Sequence, residues 1–226
     1  KKESRLIVNI GGMSNYFYFP WSESNLPVSA ADCGPGNCLS DILADQLFSI
    51  RYDRGGRRAA SGELSTRLLT LLMGDSFFTT RAGSTGRESF GPEMVRKMID
   101  FGNRFGKPAE DLLRTAAELT TNSIVRKVWP IIRRDRSLSK LYLTGGGRHN
   151  SFFVKRLRHH LPDLEILPAD ELGYDADSVE ALAFAVMGEA CLRSEPLSST
   201  GTGASNRNLK TVLGRISQPP ILNRKK

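Results

Sequence analysis

Three short runs in this 226-residue chain each end on a cluster of glycines, and that recurrence constrains the fold more than any other feature. Arg5 to Ile10 (RLIVNI) stops at Gly11-Gly12. The small-residue run Val28 to Ala31 leads through Asp32 into Gly34-Pro35-Gly36, and Lys140 to Thr144 (KLYLT) stops at Gly145-Gly146-Gly147. Such runs, bounded by turn residues, read as strands. Helical spacing resumes after the second cluster, where Leu39, Leu43 and Leu47 recur every four residues between Asn37 and Ile50, and after the third, from Asn150 to Leu161. The order strand, glycine loop, helix, strand is that of an α/β domain. Asn15 to Phe19 (NYFYF), stopped by Pro20, pairs with the first run as a hairpin.

From Arg51 to Arg87 turn residues outnumber core positions, and one short helix is expected around Glu63 to Met73; the stretch reads as an insertion or a site-lining segment. Pro92 and Pro108 each open a helix at the favoured first turn. In the second, Leu113, Ala116, Thr120, Ile124, Val128 and Ile131 fall three or four apart, and Pro130 predicts a kink. Glu165 to Leu167 is a short strand. A last helix, Ser178 to Leu192, is expected to turn Val179, Leu182, Val186 and Ala190 inward. Beyond Arg193 the chain becomes rich in Ser, Thr, Gly and Pro, so residues 1–216 read as one unit and 217–226 as a disordered basic tail.

With 39% hydrophobic and 25% charged residues the chain can build a sizeable core, which excludes a disordered or fibrous class. No apolar run approaches the roughly 20 residues of a membrane span, and Lys1-Lys2 leads into a strand without an apolar leader, so a cytoplasmic protein with no membrane partner is expected. Cys33, Cys38 and Cys191 are odd in number and lack CxxC spacing, which predicts free thiols and argues against a disulfide framework or a zinc site. His149, His159 and His160 show no metal-binding pattern, and no metal ligands are assigned. Thirty-two Lys and Arg against 24 Asp and Glu give a net charge of +8. The basic clusters RRDR (133 to 136) and KRLRHH (155 to 160) lack interleaved aromatics, which favours a solvated surface over a nucleic-acid partner.

Asp32 is the sharpest chemical candidate. A carboxylate at the end of a small-residue strand, with glycines clearing space beyond it, suits a general base; turn chemistry alone explains an acid there equally well. The helix that follows offers its first amides and positive dipole end to an anion beside Asp32. The glycines of TGGGRHN (Thr144 to Asn150) and of NIGG (Asn9 to Gly12) allow close approach of a nucleotide or phosphate, or are plain turns. Ser84, Thr85, Arg87 and Glu88 offer hydroxyls, a guanidinium and a carboxylate to a polyhydroxylated substrate, or form a capped loop. Asp177 and Glu180 have the spacing of a helix capping box. Asp53, before Gly55-Gly56, says nothing by itself.

The order of these motifs resembles one family: NIGGMSN, ADCGPGN, YDRGGRRAASG, STGRESFG, LYLTGGGRHN, DELGYDADSVEALAFA, and TGA before LGRI. From about Leu6 to Ile216 the chain looks like an anhydro-N-acetylmuramic acid kinase. The resemblance implies an α/β, actin-like and hexokinase-like (ribonuclease H-like) lobe with a mixed sheet and flanking helices. It implies ATP with Mg²⁺ as cofactor and conversion of 1,6-anhydro-N-acetylmuramic acid plus water to N-acetylmuramic acid 6-phosphate, a step of peptidoglycan recycling. The sugar and ATP are then the partners, and a homodimer is compatible with the resemblance. On the same ground Asp32 matches the catalytic aspartate, Gly11 and Gly12 a phosphate-binding turn, and Gly145, Gly146, Gly147 and Asn150 the loop near the adenosine. Glu180 matches an acid near the sugar, and Ser84, Thr85 and Arg87 belong to the family's STGRE element. The chain departs from the pattern in three ways. It starts at the NIGG strand, without the family's N-terminal lobe and first phosphate loop; Arg81-Ala82-Gly83 stands where the family has Pro-Pro-Lys; and Cys33 replaces a Thr. The expectation is a kinase in truncated form, and the alternative is a non-catalytic remnant that binds sugar or nucleotide.

Overall fold

Alternation decides the first strand. In β1 (Arg5–Ile10) Leu6, Val8 and Ile10 are fully buried, while Arg5, Ile7 and Asn9 point the other way, the period of a strand with one covered face. In the computed structural model, which describes residues 3–79, 90–173, 175–198, 210–214 and 216, β1 turns at Gly11-Gly12 into antiparallel β2 (Met13–Phe19). Strand β3 (Ser29–Pro35) pairs antiparallel with β2, β4 (Lys140–Thr144) parallel with β1, and β5 (Glu165–Pro168) parallel with β4. The order β3-β2-β1-β4-β5, with only β2 reversed, makes the mixed sheet with flanking helices that an actin-like, ribonuclease H-like lobe requires.

Helices α1 (Cys38–Phe48), α2 (Arg57–Ser61), α3 (Thr66–Met73), α4 (Ser76–Thr79) and α5 (Pro92–Phe105) precede the central α6 (Ala109–Arg134). Helix α7 (Ser151–His160) joins β4 to β5, and α8 (Val179–Leu192) leads to a two-stranded ribbon of β6 (Leu197–Ser198) and β7 (Lys210–Thr211). The inward side chains of β1 and β4 share one core with Leu113, Ala116, Leu119 and Ile124 of α6, which also touches α1, α2, α3, α5 and α7. Two polar links fix it. Glu118, 1% exposed, pairs with Arg156 of α7 at 2.7 Å and with Arg114 at 3.2 Å. At its far end the Tyr18 hydroxyl donates to Asp135 at 2.6 Å. Burial pushes the Asp135 carboxyl up, but hydrogen bonds from Ser137, Ser4 and Tyr18 outweigh it and hold the group below its ordinary range. Burial and the bond to Asp135 push the Tyr18 phenol up to about 12.

Three expectations change. The third strand does not stop at Ala31 but runs through Asp32 and Gly34 to Pro35, because the Ser14 hydroxyl holds the carbonyls of Gly34 and Pro35, and because β3 is an edge strand, where proline is tolerated. In the 51–87 stretch, α2 and α4 join the one helix expected. Helix α6 is long, as expected, and runs through Pro130 to Arg134, where the proline withholds an N–H from the Arg126 carbonyl. Helix α8 forms as expected, but Val179, Leu182 and Val186 are 40%, 51% and 53% exposed, and only Ala190 turns inward. Cys33, Cys38 and Cys191 form no disulfide, and burial pushes the Cys33 thiol up to about 12. Among the described residues no helix is long and apolar enough to cross a membrane. The tail 217–226 lies outside the described residues.

Candidate active site

On the sheet face turned away from α6, Asp32 of β3 lies opposite Asn15 of β2, Asn15 opposite Asn9 of β1, and Asn9 opposite Thr144 of β4. Residues directly opposite across paired strands project to the same side. A carboxylate, two carboxamides and a hydroxyl therefore form one row over three strand spacings, or about 14 Å. The register shift between Ser14 and Asn15 is the irregularity that brings Asn15 across from Asp32. The Asn15 Oδ1 is shut off from solvent without a hydrogen-bond partner. The row lies toward the carboxyl ends of β1 and β4, where the glycine loops leave the sheet and where open α/β sheets bind ligands.

The loops interlock at this edge. The Gly12 carbonyl accepts from the Gly36 and Cys38 amides at 2.9 and 3.1 Å, and the Gly11 carbonyl accepts from the Asn37 amide at 2.8 Å and from its Nδ2 at 2.9 Å. The Gly11-Gly12 turn thereby takes up the Cys38 amide, the first of α1, together with the Gly36 and Asn37 amides that precede the helix. Gly145 has φ +75° and lies so close to Asn9 that a Cβ there would come within 2.3 Å of the Asn9 Oδ1. The Asn9 carboxamide thus fills the space between the two glycine loops, and only glycine fits at 145.

Beyond Gly146 opens a cavity of about 840 Å³, bounded by Asn37, Ser40 and Asp41 at the start of α1, by the Arg51 to Arg57 segment, and by His149 and Asn150. Asn150 also caps α7, its Oδ1 accepting from the Phe152 and Phe153 amides. Asp53 accepts from the Arg58 and Ala59 amides and so holds the loop before α2.

The segment before α8 closes on the same edge. Thr144 donates to the Ala176 carbonyl at 3.2 Å, and Arg148 grips Asp177 through two hydrogen bonds of 2.6 and 2.9 Å. That ion pair holds the Asp177 carboxyl below its ordinary range. The capping-box reading of Asp177 and Glu180 is overturned: Ser178 is the N-cap, and the Asp177 side chain is spent on Arg148. Glu180 falls in the first turn of α8, and its side chain lies outside those described. Ser84, Thr85 and Arg87 also lie outside the described residues. The structure thus groups Asp32, Gly11, Gly12, Gly145, Gly146, Gly147 and Asn150 along one edge of the sheet. Sequence reasoning overlooked Asn9 and Asn15 as a facing pair. Their equal distance from Gly12 in NIGGMSN was the signal, since a hairpin turning there sets them opposite each other.

Three comparisons with known proteins bear on this arrangement. The sequence profile of the anhydro-N-acetylmuramic acid kinase family matches residues 1–218. The anhydro-N-acetylmuramic acid kinase of Pseudomonas syringae pv. syringae (strain B728a) is 39% identical over 220 residues, 95% of this chain and 57% of the relative. That of Bacillus cereus (strain 03BB102) is 34% identical over 223 residues, 97% of this chain and again 57% of the relative. Among solved structures, component A of the (R)-2-hydroxyglutaryl-CoA dehydratase of Acidaminococcus fermentans aligns with a TM-score of 0.42 at 13% identity, over 73% of this chain and 54% of that one. The chain spans a little over half the length of the curated relatives it matches, and with 218 of its residues inside the profile it belongs to the anhydro-N-acetylmuramic acid kinase family.

Proposed function

We propose that this chain forms the base- and nucleotide-bearing portion, residues 1–216, of an ATP-dependent kinase that converts 1,6-anhydro-N-acetylmuramic acid and water to N-acetylmuramic acid 6-phosphate in cytoplasmic peptidoglycan recycling. One observation carries the reading: along a single sheet edge come Asp32, the Gly11-Gly12 turn, the Gly145 to Gly147 loop and then a cavity of nucleotide size. In this order a base, a phosphate turn and a nucleoside pocket follow one another as a γ-phosphoryl donor would lie.

In the reaction Asp32 takes a proton from water as the water oxygen bonds to C1 of the sugar. The C1–O6 bond breaks, O6 bonds to the γ-phosphorus, and ADP leaves. Phosphoryl transfer of this kind depends on positioning and charge stabilisation more than on covalent chemistry. Asn15 and Asn9 extend the polar row toward the phosphates, and Ser84, Thr85, Arg87 and Glu180 are assigned to the sugar by the family motif. Among the described residues no group of three or more His, Cys, Asp and Glu could hold a metal ion. A row with a single carboxylate fits a Mg²⁺ that arrives on the nucleotide phosphates, where it neutralises their charge. A homodimer remains part of the proposal.

The second reading is that the chain binds sugar or nucleotide without turning it over. The test follows sugar phosphate formed from ATP, Mg²⁺ and the anhydro sugar, by the chain alone and by the chain joined to the part of the Pseudomonas syringae relative it does not match. The joined form is expected to be active, and Asp32→Asn to lower its kcat by about two to four orders of magnitude with little change in ATP affinity. The chain alone is expected to be slower by about a thousandfold or more, because phosphate contacts are missing on one side. A joined form indifferent to Asp32→Asn would refute the assignment, and inactivity of both forms with ADP still bound would favour the second reading.

A further inference from the structure

A separate cavity, of about 330 Å³, opens on the other face of the sheet. Tyr16 and Tyr18 of β2 line it, and they lie opposite Val8 and Leu6, which are buried on the α6 side. Successive strand residues project to opposite sides, so the sheet itself stands between this cavity and the row from Asp32 to Thr144. Leu26 and Pro27 of the β2–β3 connection and Pro130 and Ile131 of α6 complete the apolar lining. The walls are fixed by the chain's own hydrogen bonds. Tyr18 is buried, its hydroxyl bonded to Asp135 at 2.6 Å. The connection turns on Ser24, whose amide donates to the Trp21 carbonyl at 2.9 Å and whose hydroxyl accepts from the Leu26 amide at 3.2 Å. The Trp21 amide donates to the Ser4 hydroxyl at 3.0 Å, which ties the connection to the residue before β1. Walls held in this way meet a ligand at little ordering cost.

The charge in this lining has one sign. Lys127 and Arg134 belong to it, and no Asp or Glu does. Arg134 follows Lys127 by about two helical turns, which sets both on one side of α6. The carboxylates of α6 pair elsewhere: Glu110 with Arg58, Asp111 with Lys107, and Glu118 with Arg114 and Arg156. Asp135, bonded to Tyr18, is buried and also held by Ser137. Lys127 is half-buried, and its Nζ stands 5.2 Å from the centroid of the Phe77 ring. An ammonium partly withdrawn from water, beside a ring and without an ion-pair partner among the described residues, gains from a ligand anion. We infer that this cavity binds a small organic carboxylate: the carboxylate between Lys127 and Arg134, and a flat apolar body against Tyr16, Leu26 and Ile131. Its volume is at the small end of the roughly 300–1,000 Å³ typical of ligand pockets, which suits one ring with a short side chain. The site shares no residue with the Asp32 row or with the cavity beyond Gly146.

Amide NMR titration of the whole chain with phenylpropionate, with its neutral amide and with inorganic phosphate tests the site, while circular dichroism checks that each variant is folded. Phenylpropionate is expected to move the Tyr16, Leu26 and Ile131 signals, to leave Gly146 and Asn150 in place, and to bind about tenfold or more tightly than the neutral amide. The double change Lys127→Gln with Arg134→Gln should erase that difference. Pro27→Glu, an exposed substitution that brings a carboxylate to the rim and leaves both cations in place, should weaken the acid and spare the amide. Equal binding of acid and amide by the unaltered chain would overturn the inference, since the cations would then contribute nothing. Inorganic phosphate binding as tightly as phenylpropionate would overturn it as well, by leaving the apolar walls without a part. So would signals that move only around Gly146 and Asn150, or none that move at all.

Discussion

Helices α6 and α8 are both rich in apolar residues, yet one is enclosed and the other is bare. In α6, Leu113, Ala116, Leu119, Ile124 and Val128 are fully buried, whereas in α8 Leu182, Phe184, Val186 and Leu192 are 51% to 73% exposed. The two also differ in pattern. The apolar positions of α6 fall on one side, with Glu110, Arg126 and Arg133 elsewhere, while those of α8 surround the helix. A helix apolar on every side is one that belongs inside a protein. For α6 the described chain supplies the sheet and five helices that enclose it; in α8, among the side chains described, only Ala190 is buried. Periodicity thus states how much burial a helix requires, and only the structure states who provides it.

Substitutions sharpen or break this contrast. Leu113→Ala, at the centre of the enclosed helix, should lower unfolding free energy by about 2–5 kcal/mol, read by urea denaturation. Gly145→Ala, where φ is +75° and Asn9 blocks the Cβ, should lower it by about 3 kcal/mol and weaken ADP binding, both measurable on the purified chain. Tyr18→Phe, which removes the hydroxyl that bridges β2 to the end of α6, should cost about 1–2 kcal/mol at neutral pH. The pH dependence has a definite sign. The Tyr18 phenol is raised from 10.0 to about 12, so its contribution is whole below pH 10 and fades as pH climbs toward 12, an alkaline limb the variant should lack. The depressed Asp135 carboxyl acts at the other end, contributing above the ordinary carboxylate range and losing that contribution as pH falls through its own folded value. Smallest of all, Phe184→Asp on α8 should shift the stability of the chain by no more than about 0.5 kcal/mol. A loss there as large as that of Leu113→Ala would mean that α8 is enclosed after all.

Much of the sheet was legible. RLIVNI and KLYLT alternate or concentrate apolar residues over strand length and end on glycine, and β1 and β4 fall where those signals place them. The end of β3 was not legible, because Gly34 and Pro35 look like a break in one dimension and become strand only when Ser14, twenty residues earlier, holds their carbonyls. Asp177 was misread for a similar reason: its spacing to Glu180 is local, whereas its partner Arg148 lies 29 residues away. The positions of Asp32 and the glycines followed from motif order, but the row that joins Asp32 to Thr144 depends on pairing register across four strands, which no single segment contains. The Arg51 to Arg57 segment was recognisable as turn-rich, while its clamp onto α7 required two loops nearly a hundred residues apart.

The carbonyls of Gly11 and Gly12 have a consequence for the way the molecule opens and closes. Helix ends ordinarily fray, and their first amide protons trade with solvent through small local openings. Here the Asn37 and Cys38 amides are bonded to a hairpin turn 26 residues earlier in the chain. Their protons are released only when the hairpin itself parts from the helix, so the first turn of α1 exchanges on the clock of the sheet. The edge that bears the site therefore opens as one cooperative unit, and the start of α1 acts as a built-in reporter of that event.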